Sequence, residues 1–138
     1  TLAMGYTGLP RKLAEWISAQ GLSPYALIGV LTIFYIVLGC FLDVISMVVL
    51  TMAVVLPMIQ QAGIDLVWFG IFIVLVVEMA QITPPVGFNL FVIQGLTEDG
   101  LGYVARVTLP YLIIMVLFTM MIAVLPDIAL WLPRYLAS

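Results

Sequence analysis

No histidine occurs in this chain of 138 residues, and Cys40 is its one cysteine. The first absence removes histidine from any metal site, proton relay or nucleophile pair formed within the chain; the second removes a disulfide framework. Charge is scarce as well. Four basic and seven acidic side chains make up 8% of the residues, and the formal net charge of −3 rests on those few groups. No basic footprint for nucleic acid can be assembled from them. What fills the space is hydrocarbon. Hydrophobic residues account for 65% of the chain and the mean hydropathy is +1.31, which assigns it to integral membrane proteins in contact with the lipid bilayer rather than to soluble domains.

The opening TLAMGYTGLPRKLAEW has no basic stretch followed at once by an apolar run, and it begins with threonine. A piece of a longer multi-pass protein is the expectation. Residues 1–24 read as an interfacial amphipathic helix and linker, with Leu9, Leu13, Trp16 and Ile17 on one face and Trp16 at headgroup level. An ordinary extramembrane connecting helix fits the same pattern.

Residues 25–59 form a long apolar run interrupted at Gly39-Cys40-Phe41-Leu42-Asp43. As one straight helix it would extend roughly 52 Å, against a hydrocarbon core of about 30 Å. Split at the interruption, the arms Tyr25–Leu38 and Val44–Pro57 each reach only about 21 Å. A re-entrant helical hairpin with its tip inside the membrane is therefore expected; a single tilted or kinked helix is the competing reading. Residues 60–65 read as a turn, and 66–97 as a discontinuous transmembrane helix broken at QITPPVGFNLF, Gln81–Phe91. Two consecutive prolines remove two backbone donors and disfavour helix at the preceding residue, so the break falls at Thr83. Residues 98–106 read as a loop, and 107–138 as a final transmembrane helix and tail in which Trp131 and Tyr135 mark an interface. The four basic residues are too few to orient the chain.

Polar groups inside such segments are site candidates, since a carboxylate at the bilayer centre costs about 2.5–3.5 kcal/mol on insertion scales. Asp43 sits at the hairpin tip beside Gly39, where unwound carbonyls could coordinate a cation; it could equally cap the second arm, and the two roles are compatible. Glu78 lies before the break, either a site residue or a packing group between helices. Thr83 offers a hydroxyl and a carbonyl, while Pro84 and Pro85 leave upstream carbonyls without amide partners. Val86 and Gly87 begin a half-helix whose N-terminal amides favour an anion, and Asn89 adds an amide that can donate or accept. A proline kink that only shapes packing is the simpler alternative.

Taken together, LGCFLD at Leu38–Asp43, VVLPMI at Val54–Ile59 and above all QITPPVGFNLF resemble the large membrane subunit of the dicarboxylate type of TRAP (tripartite ATP-independent periplasmic) transporters. TGLPRKLAEWI, AGIDLVWFG and LPDIALWLP are supporting matches. The resemblance implies an all-α membrane protein: the second inverted repeat of an elevator-type transporter, with a re-entrant hairpin and a discontinuous helix. It implies sodium-coupled transport of an organic anion, such as a C4-dicarboxylate or a sugar acid, by the C-terminal part of a permease. It also implies Na⁺ at Gly39, Asp43, Thr83 and Gly87, substrate at Pro84, Pro85, Val86 and Asn89, and no cofactor beyond the coupling ion. The implied partners are a small membrane subunit and a periplasmic substrate-binding protein, in a bacterial inner (cytoplasmic) membrane. The sequence departs from the common pattern at Ala80, where glycine is frequent, and at Val76, where asparagine is.

Two other functions stay open, a divalent-anion symporter that works without a binding protein and a structural membrane subunit. Enzyme chemistry does not fit. An intramembrane aspartyl protease needs two aspartates at depth, where this chain has Asp43, and serine or metallo versions need the histidine it lacks.

Overall fold

Three helices begin where a short polar side chain meets an apolar run. In the computed structural model, which describes residues 12, 15–17, 19–84, 87–97 and 99–137, helix α1 spans Pro24–Gly39 and starts with Ser23 accepting from the Ala26 amide at 3.4 Å. Helix α2, Val44–Gln61, starts with Asp43 accepting from Ser46 N at 3.0 Å. Helix α3, Leu66–Ile82, starts with Asp65 accepting from Val67 N at 2.8 Å and Trp68 N at 3.1 Å. Each carboxylate or hydroxyl satisfies amides that the first turn leaves unpaired. The remaining helices are α4 (Phe88–Leu96), α5 (Leu101–Val124) and α6 (Pro126–Ala137), and no strand occurs among the described residues.

The turn between α2 and α3 closes in a Schellman arrangement: Ile64 N bonds Ile59 O and Gly63 N bonds Gln60 O, both at 3.1 Å, with Gly63 at φ 71°. Glycine takes that left-handed conformation without steric cost. Helix α2 runs on through Pro57 to Gln61, beyond the expected arm end. Pro57 removes one helical bond, from the carbonyl of Ala53, and the rest of the ladder continues.

Helices α1 and α2 pack antiparallel. The Tyr35 hydroxyl meets Thr51 Oγ1 at 2.7 Å, and Leu27 and Met58 line one cavity nearer the open ends. Helix α3 runs parallel to α1: Trp68 shares a cavity with Tyr25 and Ile28 at one end, and Ala80 meets Gly39 at the other. It packs on α1, α2, α4, α5 and α6, so it is the central element. Helix α5 returns antiparallel to α3. Trp68 Nε1 donates to Ile122 O at 2.9 Å, and Met79 Sδ lies 3.9 Å from Thr119 Oγ1. Past the helix break, α4 packs against α5. Arg106 and Arg134 consequently fall toward opposite ends of the bundle.

The buried Tyr35–Thr51 bond pins the hairpin. Thr51 Oγ1 also lies 2.9 Å from Met47 O, so Tyr35 donates to Thr51 while Thr51 donates to Met47 O. Tyr35→Phe therefore leaves Thr51 partnered, and thermal unfolding is expected to register a loss of only about 0.5–1.5 kcal/mol. Tyr35→Ala, which empties a fully buried site, is expected to cost about 3–5 kcal/mol. Equal losses for the two variants would mean that the hydroxyl, not the ring, holds the arms together.

The exterior is apolar. Helix α5 buries Val104, Thr119 and Ile122 and leaves Tyr111, Ile114, Leu117 and Val124 exposed. Helices α2, with 18 residues, and α5, with 24, are long and apolar enough to cross a membrane. The chain is a membrane protein built from helices.

The helix bounds differ from the expected ones in three places. Helix α5 begins at Leu101, not Val107, shortening the loop expected at 98–106; Gly100 and Gly102 looked like loop residues, but α4 and α5 pack here, with Leu90 and Val104 buried. The tail is a separate helix, α6, with Trp131 and Tyr135 stacked at 6.0 Å and an exposed Arg134–Asp127 pair at 2.7 Å. The hairpin arms have 16 and 18 residues, so α2 reaches about 27 Å and its length alone does not forbid a span. Most of residues 1–24 lies outside the described residues, although Lys12, Glu15, Trp16 and Ile17 are helical and Ile17 is buried.

Candidate functional site: a hairpin tip against a helix break

Where α1 ends, glycine serves close approach rather than a special backbone angle, since its φ is not positive. A Cβ on Gly39 would collide with the Cβ of Ala80 and lie 3.3 Å from its Cα. The chain then turns through Cys40, Phe41 and Leu42, with Phe41 N and Leu42 N both bonded to Leu38 O at 2.9 Å. From the other side, the buried amide of Gln81 donates to Leu42 O at 3.4 Å. The tip of the hairpin and the end of α3 are thus joined by one van der Waals contact and one hydrogen bond.

The break follows from the prolines. Ala80 O and Gln81 O would take amides from residues 84 and 85 in a continuous helix, and proline has none to give. Thr83 N bonds Ala80 O instead, at 3.4 Å, in a tighter turn, and the Thr83 hydroxyl donates to Met79 O at 2.6 Å. Gly87 N then bonds Thr83 O at 3.0 Å and starts α4 as its N-cap, with no side-chain cap. A Cβ on Gly87 would stand 2.5 Å from Gln81 O and 3.0 Å from Thr83 N, so only glycine lets α4 begin this close to the end of α3.

Four helix ends meet here. The C-termini of α1 and α3 lie side by side and present carbonyls and negative dipole ends, which favour a cation. The N-termini of α2 and α4 present amides, and α2's are partly occupied by Asp43 while α4's are not capped, so α4 is the end open to an anion. Among the described residues no group of three His, Cys, Asp or Glu side chains could hold a metal. A cation at this place would be held by backbone and hydroxyl oxygens with at most one carboxylate, a donor set suited to a hard monovalent ion.

Of the residues singled out from sequence, Gly39 and Gly87 lie at the close approaches, Thr83 is the turn between the half-helices, and Asp43 is half-buried at the tip as the cap of α2. No hydrogen bond joins Asp43 to Thr83 or Gly87. Pro84 is exposed in the turn and Asn89 is half-buried in the first turn of α4; Pro85 and Val86 lie outside the described residues. Gln81 was not assigned a role from sequence. Its signal was an amide in the last turn of an otherwise apolar helix, where a buried polar group needs a partner.

A cavity of about 340 Å³ at the far end of the bundle includes Tyr25, Asp65, Trp68 and Arg134 in its walls. Its two charged groups are already engaged, Asp65 as the cap of α3 and Arg134 with Asp127. The convergence of helix ends makes the tip and break the stronger candidate.

Residues 1–128 match the family described as "Tripartite ATP-independent periplasmic transporter, DctM component". The chain is 34% identical over 128 residues to the C4-dicarboxylate TRAP transporter large permease protein DctM of Pseudomonas aeruginosa, covering 93% of this chain and 30% of that protein. It is 34% identical over 133 residues to the protein of the same name from Rhodobacter capsulatus, covering 96% and 30%. It is 27% identical over 126 residues to the sialic acid TRAP transporter large permease protein SiaM of Vibrio cholerae, covering 91% and 30%. These relatives are transport permeases, not enzymes, and the chain spans about 30% of their length. No solved structure matches it.

Proposed function

Because this chain belongs to the DctM component family of tripartite ATP-independent periplasmic transporters, we propose that it is the C-terminal part of a large permease subunit that carries an organic anion coupled to Na⁺. The observation that carries this reading is the contact between hairpin tip and helix break, through Gly39 on Ala80 and Gln81 on Leu42. Na⁺ is held near Gly39, Asp43, Thr83 and Gly87, with the carbonyls freed by Pro84 and Pro85 as further oxygen donors. The anion, a C4-dicarboxylate or a sugar acid, meets the amide end of α4 around Pro84, Pro85, Val86 and Asn89. Asp43 caps α2 by accepting from Ser46 N through Oδ2, and the same carboxylate brings its negative charge to the ion.

The hairpin is re-entrant in this reading. What supports this is that the tip lies against Ala80, near the end of α3, while the chain goes on beyond the break through α4 and the 24-residue α5. The hairpin and broken helix move together as part of an elevator domain in the bacterial inner membrane. A small membrane subunit braces the scaffold and a periplasmic binding protein delivers the anion.

Asp43→Asn in the full-length permease tests the ion site, because asparagine caps a helix about as well as aspartate but carries no charge. The Na⁺ concentration for half-maximal transport is expected to rise by about tenfold, the scale of one lost charged interaction. An unchanged Na⁺ dependence would leave Asp43 as a cap. Single cysteines at Gly21 and Gln61, in a background lacking Cys40, test the topology and are expected to label from the same side of the membrane. Labelling from opposite sides would rule out a re-entrant hairpin.

A further inference from the structure

Helix α3 is covered on most of its circumference. Trp68, Phe72, Val76, Val77, Met79 and Ala80 are buried, whereas Val67, Gly70, Val74 and Glu78 are exposed. Steps of three, four and four residues place those four on one stripe of the helix. The stripe is apolar except for Glu78, and a Cβ placed on Gly70 would meet nothing within 4 Å, so a neighbouring backbone has room to come close. Glu78 is two residues before Ala80, the residue against Gly39, and therefore lies at the depth of the hairpin tip. It also lies about 200° around the helix from Ala80, turned away from the face on which Gly39 packs.

Among the described residues Glu78 has no hydrogen bond and no ion pair; Arg134 is held by Asp127 near the far end of the bundle. An ionised carboxylate at this depth is costly against lipid and becomes tolerable when a cation faces it. The chain spans about 30% of the length of its relatives, and on the reading that it is part of such a permease the remainder of that protein supplies one.

We propose that the Val67–Gly70–Val74–Glu78 stripe seats another helix of the full-length permease, and that this helix carries a lysine or arginine paired with Glu78 inside the membrane. The proposal concerns assembly of the permease and does not depend on which anion or ion is carried. Small and β-branched residues on the stripe let the two helices approach, and the ion pair sets their register.

The test uses the full-length permease in lipid nanodiscs. Dicyclohexylcarbodiimide modifies protonated carboxyl groups that face hydrocarbon; peptide mass spectrometry is expected to find Glu78 unmodified in the wild-type protein. Glu78→Lys is expected to lower the recovery of monodisperse permease by about tenfold, from like charges placed together at depth. One Lys→Glu or Arg→Glu change among the remaining membrane-spanning helices is expected to restore that recovery. Modification of wild-type Glu78 by the carbodiimide would place it against lipid and overturn the proposal. So would reaction of Glu78→Cys with a membrane-impermeant maleimide, or failure of every single charge reversal to restore Glu78→Lys.

Discussion

Replacing Gly39 with alanine is expected to destabilise the full-length permease by about 1–3 kcal/mol, the range for overfilling a packed site. The cause is specific, because the added Cβ runs into the Cβ of Ala80. Ala80→Gly alone is expected to cost about 1 kcal/mol through helix propensity. If the two sites were independent, the double variant would lose about 2–4 kcal/mol. With the clash as the cause, Ala80→Gly opens the space that the alanine at position 39 needs, and the double variant falls near the Ala80→Gly value. Unfolding of the four proteins, followed by intrinsic fluorescence in detergent, closes the cycle. Additive losses would mean that Gly39 and Ala80 are not in contact in the assembled permease. Gly39→Val adds two further carbons at the same place and is expected to remove function, because it pushes the hairpin tip away from the end of α3.

Pro84→Ala together with Pro85→Ala is expected to abolish Na⁺ and substrate binding while leaving insertion and assembly intact. Alanine is the best helix former, and each change from proline is worth roughly 3 kcal/mol in a helix interior. Restored amides would bond Ala80 O and Gln81 O and let α3 run into α4. That removes the oxygens offered to a cation and erases the amide end offered to an anion, so both ligands are lost by one structural change. Thr83→Val is the contrasting variant. It deletes a hydroxyl that donates to Met79 O at 2.6 Å and keeps the break, so Na⁺ binding is expected to weaken modestly and substrate affinity to fall only through coupling. Normal binding of both ligands to the double alanine variant would make the prolines a packing kink.

The features legible in the sequence were those with a local cause. Asp43 is a short acceptor placed just before an apolar run, Gly63 lies in the turn expected at 60–65, and Pro84-Pro85 removes two adjacent donors. Each of these acts within a few residues of itself, so reading along the chain finds it. Pro57 has the same local signature as a terminator, yet α2 continues through it because a single missing bond is outweighed by the packing of Val55, Met58 and Ile59. The start of α5 at Leu101 was hidden for a similar reason, since Gly100 and Gly102 have loop character and only contact with α4 favours helix there. Gln81 on Leu42 and Gly39 on Ala80 join residues about forty positions apart. Periodicity carries no information about such pairs; only the resemblance to a transporter family suggested that tip and break belong together.

Equilibrium binding of ²²Na⁺ to the purified full-length permease tests the central claim, that hairpin tip and helix break together form an ion site. The wild-type protein is expected to bind Na⁺ saturably, Asp43→Asn to bind it more weakly, and the Pro84→Ala, Pro85→Ala variant not at all. No saturable binding by the wild-type protein, or equal binding by all three, would contradict the account.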